Sequence, residues 1–469
     1  MGKYFGTDGF RGEANVTLDA SHAYRIGRFL GWYFSTPLSG RAAPQAKPRV
    51  VVGKDTRLSS YMFEYALVAG LTASGADAYM LHVTTTPGVS FVTRQESFDC
   101  GVMISASHNP YTDNGIKLMG AQGEKMDDAT IEVIEAYLDG GVNGLAPFVA
   151  SHPDIQLPRD DLPYATGAKI GRIVDHVAGR NRYVGYLISL AANSYKHYRV
   201  GLDCANGASW AIAKAVFEAL GAKTYVIGAQ PNGVNINEGV GSTHIQSLCR
   251  LVKEEGLDVG FAFDGDADRC IAVDETGKEI CGDHILYLLG KSMAEQGTLA
   301  DNTVVTTVMS NMGLYKALDE AGLSYVKTTV GDRFVYERMV QDNFSIGGEQ
   351  SGHIILKKYA TTGDGILTAI MLMEVMAKKE LPLSKLASPV VMYPQVCVNH
   401  GVKDKDAVLG HPRVITKCEE ISQKLGSNGR ILLRKSGTEP VIRVMVEADT
   451  EDICRLYAQE MGEVIKSVQ

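Results

Sequence analysis

Short apolar runs recur along the chain, each followed by a Gly- or Asp-rich turn and then by apolar residues at helical spacing. Arg49 to Val52 predicts a strand, Gly53-Lys54-Asp55-Thr56-Arg57 a turn, and Tyr61 to Ala73 a helix. The order repeats at Tyr198 to Leu202, where the strand ends in Asp203-Cys204-Ala205-Asn206-Gly207 ahead of a helical pattern from Ala211 to Leu220. Val259 to Phe263 predicts a third strand, running into Asp264, and Val304 to Val308, Met312 to Ala321 and Tyr325 to Thr328 predict a βαβ unit. Strands alternating with helices of this length predict α/β layers with largely parallel sheets. Ligands in such sheets gather at the carboxyl ends of the strands, where these turns sit. The rhythm is one of elements only; no stretch of residues repeats at a fixed period.

At 469 residues the chain is too long for one hydrophobic core and predicts three or four domains. Ser35 to Pro48 predicts a surface excursion, Ala146 to Pro163 a first linker, and Lys378 to Pro394 the join to a last domain. From Arg430 onward the pattern is strand, loop, strand, helix, a smaller α+β unit. The expected boundaries are therefore 1–155, 156–257, 258–378 and 379–469, with the Asp264 loop in the third domain.

Composition narrows the class. With 45% hydrophobic and 21% charged residues, the chain is that of an ordinary globular protein. Net charge is −8 with no basic stripe, which argues against nucleic acid and acidic membranes as partners. The 8 cysteines are scattered without a C-x-x-C pair, so neither a disulfide framework nor a zinc site is expected. The polar start and the lack of a long apolar run predict a cytoplasmic protein.

Five loops carry candidate chemistry. In Asp264-Gly265-Asp266-Ala267-Asp268-Arg269, three carboxylates at alternate positions share a direction if the segment is extended, and a divalent cation relieves their repulsion. Oxygen-only ligands suit Mg²⁺ or Ca²⁺. A solvated acidic turn and an EF-hand closed by Glu275 are the competing readings, although Arg269 stands where an EF-hand needs Gly. Ser107, in Ser105-Ala106-Ser107-His108-Asn109-Pro110, follows an apolar run and is placed for exposure; an Asn-Pro turn with a capping serine is the plainer account. Arg434-Lys435-Ser436-Gly437-Thr438-Glu439-Pro440, with Arg443, gathers cations, hydroxyls and a Gly turn into an anion nest, or else a salt-bridged hairpin. Gly348-Glu349-Gln350-Ser351-Gly352-His353 can offer oxygens to sugar hydroxyls, and Arg11 in Phe5-Gly6-Thr7-Asp8-Gly9-Phe10-Arg11-Gly12 can meet phosphate or form an ion pair.

In this order the five loops resemble the α-D-phosphohexomutase superfamily over nearly the whole chain. The resemblance implies a four-domain α/β architecture, three related α/β domains plus a smaller C-terminal α+β domain around a central cleft. It implies Ser107 as phosphoserine, which with Asp264, Asp266 and Asp268 binds Mg²⁺. It makes Lys117 and Arg11 neighbours of the transferring phosphoryl group and His108 a support of the serine loop. Glu349 and Ser351 would hold the sugar, and Arg269, Arg434, Ser436, Gly437, Thr438 and Arg443 the rest of the substrate. FGTDGFRG, the stretch from Pro231 to His244 and Gln350 look most like the branch acting on glucosamine phosphates. That implies interconversion of glucosamine 6-phosphate and glucosamine 1-phosphate through a hexosamine or hexose 1,6-bisphosphate, by a homodimer. Where some bacterial relatives carry a proton-transferring His, this chain has Val330-Gly331-Asp332-Arg333. Rival readings are a glucose or mannose phosphate mutase of the same superfamily, a Mg²⁺-dependent phosphatase using Asp264 as nucleophile, and a non-catalytic sugar-phosphate sensor.

Overall fold

The computed structural model describes residues 2–6, 8–41, 46–150, 152, 154–435 and 440–468. These divide into two compact units, 1–309 with 323–387, and 310–322 with 388–469. The first unit holds three sheets and the second holds one.

The first sheet has seven strands, in the order Phe5–Gly6, Gly9–Glu13, Asp113–Met119, Cys100–Ile104, Arg49–Lys54, Asp77–Val83 and Ile173–Asp175. Its centre, Arg49–Lys54 flanked by Cys100–Ile104 and Asp77–Val83, is parallel and apolar, as a sheet covered on both faces requires. Helices Ala20–Tyr33 and Leu58–Ala73 pack backbone to backbone. A Cβ on Gly27 would stand 2.1 Å from the Leu67 carbonyl oxygen, and one on Gly70 would stand 2.1 Å from that of Tyr24. Only glycine permits this approach.

The second sheet runs Glu279–Ile280, Cys270–Asp274, Val259–Phe263, Arg199–Asp203 and Lys223–Ile227. The third runs Ser324–Thr328, Thr303–Thr307, Ile346–Gly348 and Ile354–Leu356. Two expected boundaries are displaced. Ile173–Asp175 belongs to the first sheet, parallel to Asp77–Val83, so that sheet closes beyond residue 155; Asp77 anchors it by accepting from the backbone and guanidinium of Arg172, each at 2.7 Å. Val259–Phe263 pairs parallel with Arg199–Asp203, so the Asp264 loop springs from the second sheet and not from the third domain. A fully buried strand is shared with its neighbours, and sequence alone does not say which neighbours they are.

In the second unit, Gln395–Gly401 and Arg430–Lys435 flank Val441–Glu447 in an antiparallel sheet backed by Glu451–Ser467. Val444, Val446, Cys454, Ala458, Met461 and Ile465 are buried together in its core. No helix of the described residues is long and apolar enough to cross a membrane.

Candidate active site

The apolar strand Cys100–Ile104 delivers Ser105, Ala106 and Ser107 to the carboxyl edge of the first sheet, as the sequence pattern implies. Ser107 is fully buried, against the exposure expected of it, and left-handed, with φ 53°, a conformation an L-residue adopts only where its surroundings hold it. The holders are visible. The Ser107 N–H donates to Ser105 Oγ at 2.9 Å, and Ser105 Oγ donates to Asp55 at 2.7 Å. The Arg57 guanidinium, fully buried and paired with Asp55 at 2.7 Å, donates to the carbonyls of Ser107 (2.8 Å), Asn109 (2.9 Å) and Asp113 (3.1 Å). Asn237, from the second sheet's connections, donates to the Ser107 and Asn109 carbonyls at 2.9 and 3.0 Å.

The acidic loop follows Val259–Phe263. It is not extended: Ala267 has φ 56°, its N–H donates to the Asp264 carbonyl at 3.0 Å, and this turn, not strand alternation, converges the carboxylates. Oxygens of Asp264, Asp266 and Asp268 lie within 4.8 Å of one another, all three residues buried. The Ser107 hydroxyl donates to Asp264, and the Thr86 hydroxyl donates to Asp266. Lys117 Nζ reaches Asp266 at 2.7 Å and Asp268 at 3.2 Å. Asp266 Oδ1 and Asp268 Oδ1 are buried with no hydrogen-bond partner. Buried anionic oxygens without donors are what a hard cation takes, so the residues fit Mg²⁺. Glu275 accepts from Ser384, away from the acidic turn, which removes the EF-hand reading.

The charges bend each other's protonation. Burial, and then the charges of Asp268 and Asp266, push the Asp264 carboxyl well above the usual carboxylate range. Burial opposes ionisation of Asp268 too, but Lys117, His353 and Arg269 outweigh it and hold that carboxyl low. Burial likewise disfavours the Lys117 ammonium, yet the carboxylates of Asp266 and Asp268 win and keep it protonated. His108 Nδ1 lies 3.4 Å from Ser107 Oγ; burial, with Arg269 and Arg11, lowers its pKa to about 4, so the ring is neutral at neutral pH. Arg11 pairs with Asp8, leaving its buried Nε without a hydrogen bond.

The sugar loop is tied to the acidic turn. Cys270 N–H donates to the Gly352 carbonyl at 3.0 Å, and Gly352, with φ 88°, brings its Cα so close that a Cβ would stand 2.3 Å from the Cys270 carbonyl oxygen. Glu349 Oε1 accepts from Gly331 N–H at 3.0 Å, while Ser351 is exposed. The structure thus brings Ser107, His108, Lys117, Arg11, Asp264, Asp266, Asp268, Arg269 and Glu349 into one unit. Arg434 and Arg443 stand directly opposite each other on paired strands of the other unit. Ser436, Gly437 and Thr438 lie outside the described residues.

Several neighbours of the site escape a reading by motif. Asp8 contacts Lys117 at 3.5 Å and Lys125 at 3.1 Å; Lys125 contacts Asp332 at 2.7 Å; Asp332 contacts His353 Nε2 at 3.3 Å. Asp8, His353, Asn237 and Arg57 each stand inside a loop that the sequence flagged, which was the available signal. Thr86 and Lys125 carried none.

Comparison with known proteins places all four segments in one family. Models of the phosphoglucomutase/phosphomannomutase α/β/α domains I, II and III match residues 2–143, 181–277 and 281–393, and the C-terminal domain model matches 398–464. The chain is 59% identical over 467 residues to the phosphoglucosamine mutase of Lachnospira eligens, covering 100% of this chain and 99% of that one. Among solved structures, a phosphoglucomutase/phosphomannomutase family protein from Burkholderia thailandensis superposes with TM-score 0.77 at 23% identity, covering 100% of this chain and 98% of that one. The N-acetylphosphoglucosamine mutase of Aspergillus fumigatus in complex with GlcNAc-6P and magnesium superposes with TM-score 0.69 at 17% identity, covering 99% and 96%. A further structure of that mutase holds glucose 1,6-bisphosphate.

Proposed function

We propose, from the premise that this chain belongs to the phosphoglucomutase/phosphomannomutase family and is a phosphohexose mutase, that it interconverts glucosamine 6-phosphate and glucosamine 1-phosphate through a phosphoserine at Ser107. The observation that carries the reading is the Ser107 hydroxyl, buried on a left-handed residue and donating to one of three convergent carboxylates beside a buried ammonium. The full-length likeness to a phosphoglucosamine mutase supports the amino sugar as substrate.

In the forward direction the phosphoryl group leaves Ser107 Oγ for one sugar hydroxyl oxygen, giving a 1,6-bisphosphate. The bisphosphate turns over, and its other phosphoryl group returns to Ser107 Oγ, releasing the 1-phosphate. Such a transfer has a loose transition state, so the protein contributes alignment and charge. Arg57 and Asn237 fix the Ser107 backbone, and Lys117 and Arg11 supply positive charge for the phosphoryl oxygens. Mg²⁺ held by Asp264, Asp266, Asp268 and the serine oxygen would supply further neutralisation there. His108, neutral, keeps its ring beside Ser107 without adding charge. Glu349 and Ser351 hold sugar hydroxyls, Arg269, which directly follows Asp268, takes part in holding the substrate, and Arg434 and Arg443 with Ser436, Gly437 and Thr438 take the phosphate that is not reacting. All eight cysteines are unpaired, which supports the cytoplasm as the compartment; a homodimer is the assembly proposed.

The phosphatase rival makes Asp264 the phosphoryl carrier, but Asp264 is buried and already accepts the Ser107 hydroxyl, which leaves the serine oxygen as the group presented beside it. The test of substrate is kcat/KM for glucosamine 6-phosphate, glucose 6-phosphate and mannose 6-phosphate, with Mg²⁺ and catalytic 1,6-bisphosphate. The expected preference for the amino sugar is ~100-fold or more, or ~2.7 kcal/mol in transition-state binding. A preference for glucose or mannose phosphate would overturn the substrate and leave the mutase.

A further inference from the structure

We propose that Asp332 is the residue that distinguishes the amino sugar from its hydroxyl counterparts, by accepting a charge-assisted hydrogen bond from the substrate ammonium; this rests on the glucosamine reading above. A sugar amine is mostly protonated at neutral pH, because its pKa lies near that of an α-amino group, ~8. A site selecting that cation needs a carboxylate near the sugar-binding loop that other cations have not saturated.

Three carboxylates outside the acidic turn approach that place. Asp8 is engaged by Arg11, Lys117 and Lys125, so its charge is spent on three cations. Glu349 gives Oε1 to the Gly331 N–H and serves the sugar hydroxyls. Asp332 follows Gly331 directly, so the bond from Gly331 to Glu349 seats its backbone against the sugar loop. Its carboxylate meets one lysine, Lys125, at 2.8 Å from Oδ1 and 2.7 Å from Oδ2, and the His353 ring at 3.3 Å from Oδ2, with the charge of Lys117 farther off, and its side chain keeps 14% exposure. A carboxylate offers about four lone-pair sites, so one more donor fits beside these two. A substrate with hydroxyl in place of amine covers this carboxylate without returning a charge-assisted bond, and is therefore expected to react less well than the amino sugar.

Asp332 also stands in the first turn of helix Asp332–Gln341, where an acid stabilises the helix dipole. The two roles part in the readout, since a helix defect lowers turnover of every substrate alike. The experiment measures the ratio of kcat/KM for glucosamine 6-phosphate over glucose 6-phosphate in the intact enzyme and in the Asp332→Asn and Lys125→Gln variants. In Asp332→Asn the ratio is expected to fall about tenfold or more. In Lys125→Gln, which removes a competing cation and leaves the carboxylate, the ratio is expected to hold or rise. An unchanged ratio in Asp332→Asn, with both substrates losing equally, overturns the proposal. So does a ratio that collapses in Lys125→Gln, which also decides the matter should Asp332→Asn fail to fold. If the unaltered enzyme shows no preference for the amino sugar, it is the substrate reading that falls.

Discussion

Ser107 is the residue on which the proposed chemistry turns. Its φ of 53° and its burial mean that the hydroxyl is aimed by the backbone and not chosen by a free rotamer. Ser107→Ala keeps that backbone, since alanine is no larger, and removes the oxygen proposed to carry the phosphoryl group. Turnover is expected to vanish while the melting temperature moves little; substantial mutase activity in the purified variant would exclude Ser107 as carrier. Ser107 and the three aspartates were legible as candidates, because short polar loops after apolar strands announce themselves, whereas Lys117, inside the strand Asp113–Met119, was named only through the resemblance. Arg57 was legible as part of a turn but not as a clamp. Its bonds go to carbonyls 50 and more positions away, and carbonyls have no signature in a sequence.

At the scale of elements, the helix Gly365–Lys379 is capped by Asp364, which accepts from Leu367 N–H at 3.0 Å and from the Tyr183 hydroxyl at 2.8 Å. Burial raises this carboxyl to about 6, above its unfolded value, with hydrogen bonds from Leu367, Tyr183 and Ile366 opposing. The folded state therefore binds the proton more tightly. The stability this contributes is complete below pH ~4 and is lost as pH rises through ~6, by roughly 3 kcal/mol. Asp364→Asn keeps the cap but cannot ionise, so urea unfolding at pH 4 and pH 6.5 is expected to show a smaller decline in the variant than in the parent. An identical decline would remove Asp364 as its source. Element positions were largely legible: Val259–Phe263 falls where the pattern put it, and the strand predicted from Tyr198 runs Arg199–Asp203. Element partnerships were not. A run of five buried apolar residues pairs equally well on either side, and the parallel pairing with Arg199–Asp203 is decided by the packing of whole layers.

At the scale of the molecule, the acidic turn is the meeting point of the first unit. It takes Lys117 from a strand of the first sheet, Ser107 from the loop after another and Thr86 from the start of the helix Thr86–Gln95, and its following strand binds the sugar loop. A cation bound there stabilises only the assembled form, so its effect is on folding as well as catalysis. Prolonged chelation is expected to abolish turnover and lower the melting temperature. Saturating Mg²⁺ is expected to restore both, with about 2.7 kcal/mol of added stability at a hundredfold excess over Kd. Full activity in a metal-free preparation would contradict the Asp264, Asp266, Asp268 reading. That four loops meet was legible only through resemblance, because nothing in their spacing states it.

The bond from Ser107 to Asp264 closes across 157 positions of chain. A ribosome adding ~5–20 residues each second makes the serine roughly 8–30 s before its acceptor. During that interval the loop already has Arg57 and Asp55, which precede it, but lacks Asn237 and the acidic turn, which follow. The nascent chain therefore holds the Ser107 hydroxyl in a half-built frame, and the proposed phosphoryl acceptor is complete only once the second sheet has emerged and docked.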